Sequence, residues 1–179
     1  MHEQHEYEQY FFDRPTLAFL ADFIKQGFTR PCCLCAPLLG QALVERGVGV
    51  TILDRDERFA RLPGFRRYDL FRPHWLEKSF DLILCDPPFF QVSLSQLFTA
   101  IRMLSHYNFS QPLMVSYLRR RSTNLLGAFS PFNLSPTGYS PAYQTVQALE
   151  RNGIEFFSNL DETLLAKLKG SVLKGSEGV

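Results

Sequence analysis

An α/β fold, with a mostly parallel central sheet and helices on both faces, follows from three features of this 179-residue chain. Short apolar runs alternate with helical segments, the order that builds parallel sheets through crossover helices. Most of those runs are apolar at every position, as strands are when both faces are covered. The composition, 45% apolar and 21% charged, supplies a core large enough to need no disulfide or metal staple.

The elements follow in order. Residues 1–12 are polar and then aromatic (Tyr7, Tyr10, Phe11, Phe12). Asp13 and Pro15 open a helix as a cap and a first-turn proline, and Leu17, Phe19, Leu20, Phe23 and Ile24 stripe it up to Gly27. Cys32 to Ala36 reads as a buried strand, and residues 38–46 as a helix stopping at Gly47. A second strand, Val48 to Leu53, runs into Asp54; Phe65 to Phe71 is the third. Asp81 to Cys85 is the fourth and leads directly into Asp86-Pro87-Pro88-Phe89. Leu94, Leu97, Phe98, Ile101 and Leu104 fall at helical spacing, and Pro112 to Tyr117 is a fifth strand. Beyond Arg121, Thr123 to Phe129 predicts a short helix, residues 131–141 an aromatic loop, Ala142 to Arg151 a helix and Ile154 to Ser158 the last strand. The domain is expected over residues 1–160, with 161–179 a partly disordered tail whose Gly/Ser/Lys-rich end frays.

Several function classes drop out. The apolar run from Pro31 to Val44 falls short of the roughly 20 residues a bilayer span needs. The opening Met-His-Glu-Gln-His-Glu has the wrong charge for an export signal, so a reducing cytoplasm is expected. Cys32 and Cys35 make one Cys-x-x-Cys, but no second pair completes a zinc site; Cys32, Cys33, Cys35 and Cys85 read as small buried hydrophobes, and no metal is expected. A net charge of +1 argues against an arm that coats nucleic acid nonspecifically. Two local clusters stand out: six arginines over residues 55–72, and Arg119-Arg120-Arg121.

In an open parallel sheet, ligands bind beyond the carboxyl ends of the strands, where strand order reverses. Three features fall there: the turn Ala36-Pro37-Leu38-Leu39-Gly40, the acid Asp54, which suits the two hydroxyls of a ribose, and Asp86-Pro87-Pro88-Phe89. Two prolines after an acid remove two donors, so sheet pairing stops and nearby carbonyls stay free. With the Asp86 carboxylate these acceptors suit an amino group that has two hydrogens to donate. Phe89 offers a flat apolar face, which together favours the amine of a planar ring such as adenine. Holding that amine orients its lone pair and offsets the charge that develops when the nitrogen attacks a methyl group. The same motif also serves simply to end a strand and cap a helix; its position after the fourth strand, downstream of an acid-terminated second, favours the chemical reading.

Glu8-Gln9-Tyr10-Phe11-Phe12-Asp13-Arg14, Cys35-Ala36-Pro37, Leu53 to Phe59, Tyr68-Asp69 and Asp86-Pro87-Pro88-Phe89 occur in that order. Together they resemble the "probable N6-adenine methyltransferase" family of class I S-adenosylmethionine-dependent enzymes, across roughly residues 8–160. The resemblance implies a Rossmann-like fold and S-adenosylmethionine as cofactor. The family includes a zinc-finger-bearing ribosomal RNA adenine methyltransferase and a lysine methyltransferase of a translation elongation factor. The first is the more similar in its Phe-ended motif, although no zinc-finger segment occurs here. By resemblance, Tyr10, Phe11 and Phe12 close over the methionine end of the cofactor and Ala36 and Pro37 line the turn beneath it. Asp54 binds the ribose, Tyr68 and Asp69 sit near the cofactor's adenine, and Asp86, Pro87, Pro88 and Phe89 hold the target nitrogen. One departure is the turn after the first strand, which lacks the Gly-x-Gly-x-Gly run and keeps only Gly40.

The expected reaction is methyl transfer from S-adenosylmethionine to the exocyclic amine of adenine in RNA, less so DNA. A base within a duplex has to be flipped out, with Phe89 and Tyr139 placed to stack on it and the arginine clusters to contact phosphates. Two alternatives stay open: methylation of a protein lysine, and a catalytically silent module that keeps the fold for binding. A domain of this size with no added recognition module is expected to borrow specificity from a partner subunit.

Overall fold

A computed structural model describes residues 2–146 and 153–174. A seven-stranded sheet runs through it in the order β3-β2-β1-β4-β5-β7-β6. β1 (Pro31–Leu34), β2 (Thr51–Asp54), β3 (Phe65–Arg67), β4 (Leu82–Cys85) and β5 (Leu113–Leu118) pair in parallel. β7 (Ile154–Ser158) lies antiparallel to β5, and the two-residue β6 (Ser135–Pro136) antiparallel to β7. β1, β2, β4 and β7 are buried along their whole length, the polar Thr51, Asp54, Glu155 and Ser158 included.

Strand alternation divides the core into two layers. Cys33, Ile52, Leu84, Met114 and Phe156 face α1 (Arg14–Gly27), α2 (Pro37–Glu45) and a C-terminal helix, α5 (Glu162–Lys174). Cys32, Leu53, Ile83, Cys85, Val115 and Phe157 face α3 (Leu94–Leu104) and α4 (Ser122–Ala128). The cap of α1 is Asp13, whose carboxylate accepts the Thr16 N–H at 2.9 Å. α3 starts in a reciprocal capping box between Ser93 and Gln96. Gly40 lies within α2, where a Cβ would come to 2.5 Å from Ile52 Cγ1; its lack of a side chain seats the helix on β2.

Four sequence expectations change. The third strand ends at Arg67: the Tyr68 N–H makes a last ladder bond to the Asp54 carbonyl, and Asp69 then caps a turn at Phe71. The 131–141 segment is not all loop: it holds a 3-10 turn at Ser130–Phe132 and the edge strand β6. Residues 142–146 are not helical, because their backbone pairs with the N-terminal segment: Asp13 N–H donates to the Ala142 carbonyl and Gln144 N–H to that of Phe11. The rest of that expected helix, 147–151, lies outside the described residues. Residues 162–174, expected as tail, form α5: Asp161 caps it through the Leu164 N–H, and Leu168 is fully buried. Gly27 leaves room for the crossing, a Cβ there lying 3.3 Å from the Leu164 side chain.

Candidate active site

Strand register gathers the site. Leu34 pairs with both Leu53 and Cys85, and Cys85 with Val115, so the next residues along, Cys35, Asp54, Asp86 and Ser116, reach one edge of the sheet together. That edge is where β1 and β4 lie side by side and the strand order reverses. A cleft of about 490 Å³ opens above it, within the range that takes a nucleoside-sized ligand. Its walls include Asp54, Tyr68, Asp69, Asp86, Pro87, Pro88, Phe89 and Tyr10.

At the end of β4 the Asp86 N–H makes a last ladder bond to the Leu34 carbonyl at 3.1 Å, after which Pro87 and Pro88 bring no donor. The Asp86 carboxyl is held from behind. Its Oδ1 accepts from the Ser116 hydroxyl, in a short contact, and from the Tyr143 hydroxyl at 2.7 Å. Burial pushes the Asp86 carboxyl up to about 7, against these two hydrogen bonds, which favour the ionised form. Phe89 is half-buried, meeting Tyr117 edge-on with ring centroids 5.6 Å apart.

Asp54 ends β2 only 6% exposed, its Oδ1 accepting the Asp56 N–H at 2.8 Å. Desolvation raises it to about 6, although that N–H opposes the rise. Asp56 goes the other way: burial would raise it, but hydrogen bonds from Arg58 and Gln9 outweigh burial and hold it below the usual carboxylate range. Tyr68 is buried, its hydroxyl donating to the His74 carbonyl at 3.3 Å, and burial lifts it to about 12. Asp69 accepts the Phe71 N–H at 2.9 Å and pairs with neither Arg66 nor Arg67 among the described residues.

The aromatic run at the start divides. Tyr10 faces the cleft, 37% exposed and stacked on His5. Phe11 and Phe12 are each 3% exposed and do not form a lid: Phe11 packs edge-on against Phe59, Phe12 against Tyr143 and Phe156. Ala36 and Pro37 stand outside the main cleft, lining with those rings a small crevice that also reaches Asp86. Tyr139, expected to stack on a flipped base, instead lies buried between Phe19 and Phe156, too deep to reach one.

Sequence reasoning passed over several residues. Cys35 is no buried hydrophobe: it lines the cleft and takes φ +57°, making the turn that a glycine would otherwise make. Ser116, a hydroxyl inside an otherwise apolar strand, carried a legible signal. Tyr143 carried none, since only the tertiary fold brings it in; Glu8 and Gln9 entered only through the resemblance, with no role attached to either. Glu8 accepts the Phe90 and Gln91 N–H groups at 3.0 and 2.9 Å, and Gln9 Nε2 donates to Asp56 at 2.9 Å, so the N-terminal segment straps both walls of the cleft. No group of three or more His, Cys, Asp or Glu among the described residues is placed to hold a metal.

Residues 3–162 match the family described as probable N6-adenine methyltransferase. The chain belongs to that family. It is an S-adenosylmethionine-dependent methyltransferase with the Rossmann-like class I fold. Solved structures bear out the fold of this methyltransferase. Magnesium protoporphyrin IX methyltransferase from Synechocystis PCC 6803, with bound S-adenosylmethionine, superposes with a TM-score of 0.55 at 14% identity, over 80% of this chain and 77% of its own. The ribosomal protein L11 methylase of Lactobacillus delbrueckii subsp. bulgaricus gives 0.51 at 17% identity, covering 83% and 79%. The 16S rRNA methylase RmtB gives 0.50 at 19%, covering 81% and 61%. No curated protein matches the methyltransferase in sequence. The residues present suit the cofactor: a buried carboxylate, Asp54, lines a cleft of adequate volume and would accept from a vicinal diol.

Proposed function

We propose that this methyltransferase modifies the exocyclic amine of adenine in nucleic acid, RNA in preference to DNA. The observation that carries the reading is Asp86-Pro87-Pro88-Phe89, set at the sheet's switch point in the same cleft as Asp54. The cofactor supplies an electrophilic methyl group. Everything else falls to the chain: Asp54 holds the ribose, and Asp86 with a backbone carbonyl of the Pro87-Pro88 segment accepts the two amine hydrogens. Phe89 walls the ring. As the nitrogen attacks, it gains positive charge, and the Asp86 carboxylate, kept aimed by Ser116 and Tyr143, offsets that charge. Approach and alignment of the two reactants supply much of the rate.

Four free cysteines, of which Cys32, Cys33 and Cys85 are buried, support a reducing cytoplasm as its setting. No helix among the described residues is long and apolar enough to cross a membrane. The experiment is transfer of labelled methyl from S-adenosylmethionine to separate RNA, DNA and protein pools, with Asp86→Ala as control. Label in RNA that is absent with the variant is the expected result. Label in protein alone would replace adenine by lysine; no label with cofactor bound would point to an absent partner subunit, and no binding to a silent module.

A further inference from the structure

We propose that Phe90, Arg120 and Arg121 form the docking surface for an unpaired nucleic-acid strand, a proposal that rests on the adenine reading above. Phe90 stacks on the base next to the one delivered to Asp86, and the two guanidiniums take that strand's phosphates.

Phe90 is 63% exposed, more than any other large apolar side chain on the described surface, and it stands on the wall of the cleft. It is nevertheless held in place. Its N–H donates to the Glu8 carboxylate at 3.0 Å, and the Cζ atoms of Arg120 and Arg121 each lie 6.0 Å from its ring centroid. Arg121 is fixed from its other side, over the Tyr117 ring at 5.7 Å and donating to the Phe89 carbonyl at 3.3 Å. Arg119, the third of the run, is already engaged by Glu155 at 3.0 Å and by Ser140. Neither Arg120 nor Arg121 makes an ion pair among the described residues.

Two costs therefore sit side by side: a phenyl ring left in water, and two like charges brought together at the end of β5. A ligand that presents a flat π-face with anionic groups a few ångströms away relieves both at once, and a nucleotide is such a ligand. A lysine-bearing peptide is not, since its cation meets two guanidiniums. The strand has to be unpaired, because in a duplex the base faces are already stacked on their neighbours. Phe89, half-buried against Tyr117, walls the target base; Phe90, one residue on, meets its neighbour.

The test is binding of a fluorescently labelled, adenine-containing RNA oligomer to the full chain by anisotropy across a salt series, beside a duplex of the same sequence. Expected are tighter binding of the unpaired oligomer, about tenfold weaker binding for Phe90→Ala, and near-full recovery for Phe90→Trp. Arg120→Ala should lower the salt slope by about 0.7, one phosphate contact on a single strand. Equal affinity for duplex and single strand, or Phe90→Ala and Arg120→Ala binding like the parent, overturns the docking surface. If the parent also labels RNA, only that surface falls and the adenine reading stands. If it neither labels nor binds nucleic acid, the adenine reading falls and takes this proposal with it.

Discussion

Asp86 shows how much of this site is decided by what surrounds one carboxyl. Desolvation raises it, while the Ser116 and Tyr143 hydroxyls pull it back towards the charged form. In the proposed reaction it is the carboxylate that offsets the charge on the nitrogen, so turnover should rise with pH through about 7. Tyr143→Phe removes one donor to the charged form and should move that limb to higher pH, which a pH profile of kcat reads directly. Asp86→Asn should lower kcat by about 100-fold or more while S-adenosylmethionine affinity stays within about threefold. Equilibrium dialysis beside single-turnover transfer separates the two. Stability carries the same signature with its own sign. The folded-state values of Asp54 and Asp86, about 6 and about 7, lie above the ordinary 3.8. Their contribution is therefore fully present below about pH 4 and is lost as pH rises through 6 and 7. Asp86→Asn should gain in Tm relative to the parent as pH goes from 5 to 8.

At the scale of the element, two small features set positions that the site depends on. Ser93 and Gln96 satisfy each other's backbone N–H at the start of α3, the helix that follows the Asp86 motif. Ser93→Ala should cost about 1 kcal/mol in a denaturant titration, with little change in m. Gly64 turns the chain into β3 at φ +80°, and a Cβ there would lie 2.0 Å from the Val50 carbonyl oxygen. That oxygen is backbone and cannot swing aside. Gly64→Ala should therefore destabilise by several times the roughly 1 kcal/mol that glycine conformation alone accounts for.

Over the whole molecule, the cleft is bounded by segments far apart in sequence and tied together by residues 2–12. Glu8 anchors residues 90 and 91, Gln9 anchors Asp56, and Arg58 donates to the His2 carbonyl. Closing the cleft around a ligand should thus stiffen the molecule as a unit. S-adenosylmethionine at about 100 times its Kd should add about 2.7 kcal/mol of stability. Asp54→Ala should remove most of the resulting rise in Tm, and Glu8→Ala should reduce it, a comparison one thermal-shift series makes.

The fold was readable because burial on both faces leaves a repetitive mark: continuous apolar strands, helices striped at i, i+3 and i+4, and caps such as Asp13 and Ser93. Asp54 and Asp86 were readable because each breaks such a run at its carboxyl end, where a polar group needs a reason. Phe11, Phe12 and Tyr139 look in sequence like any aromatic of a binding site, and whether a ring faces ligand or core depends on what packs over it. The C-terminal helix stayed hidden because its four leucines stand among three lysines and a glycine, a weak stripe in sequence that the fold seats on the core beside α1. Periodicity, capping and the acids at strand ends thus determined the class and the centre of the site. The tertiary structure alone decided its walls, because Cys35's left-handed turn, the Ser116–Asp86–Tyr143 contact and the Glu8 strap depend on register and on residues up to 83 positions apart.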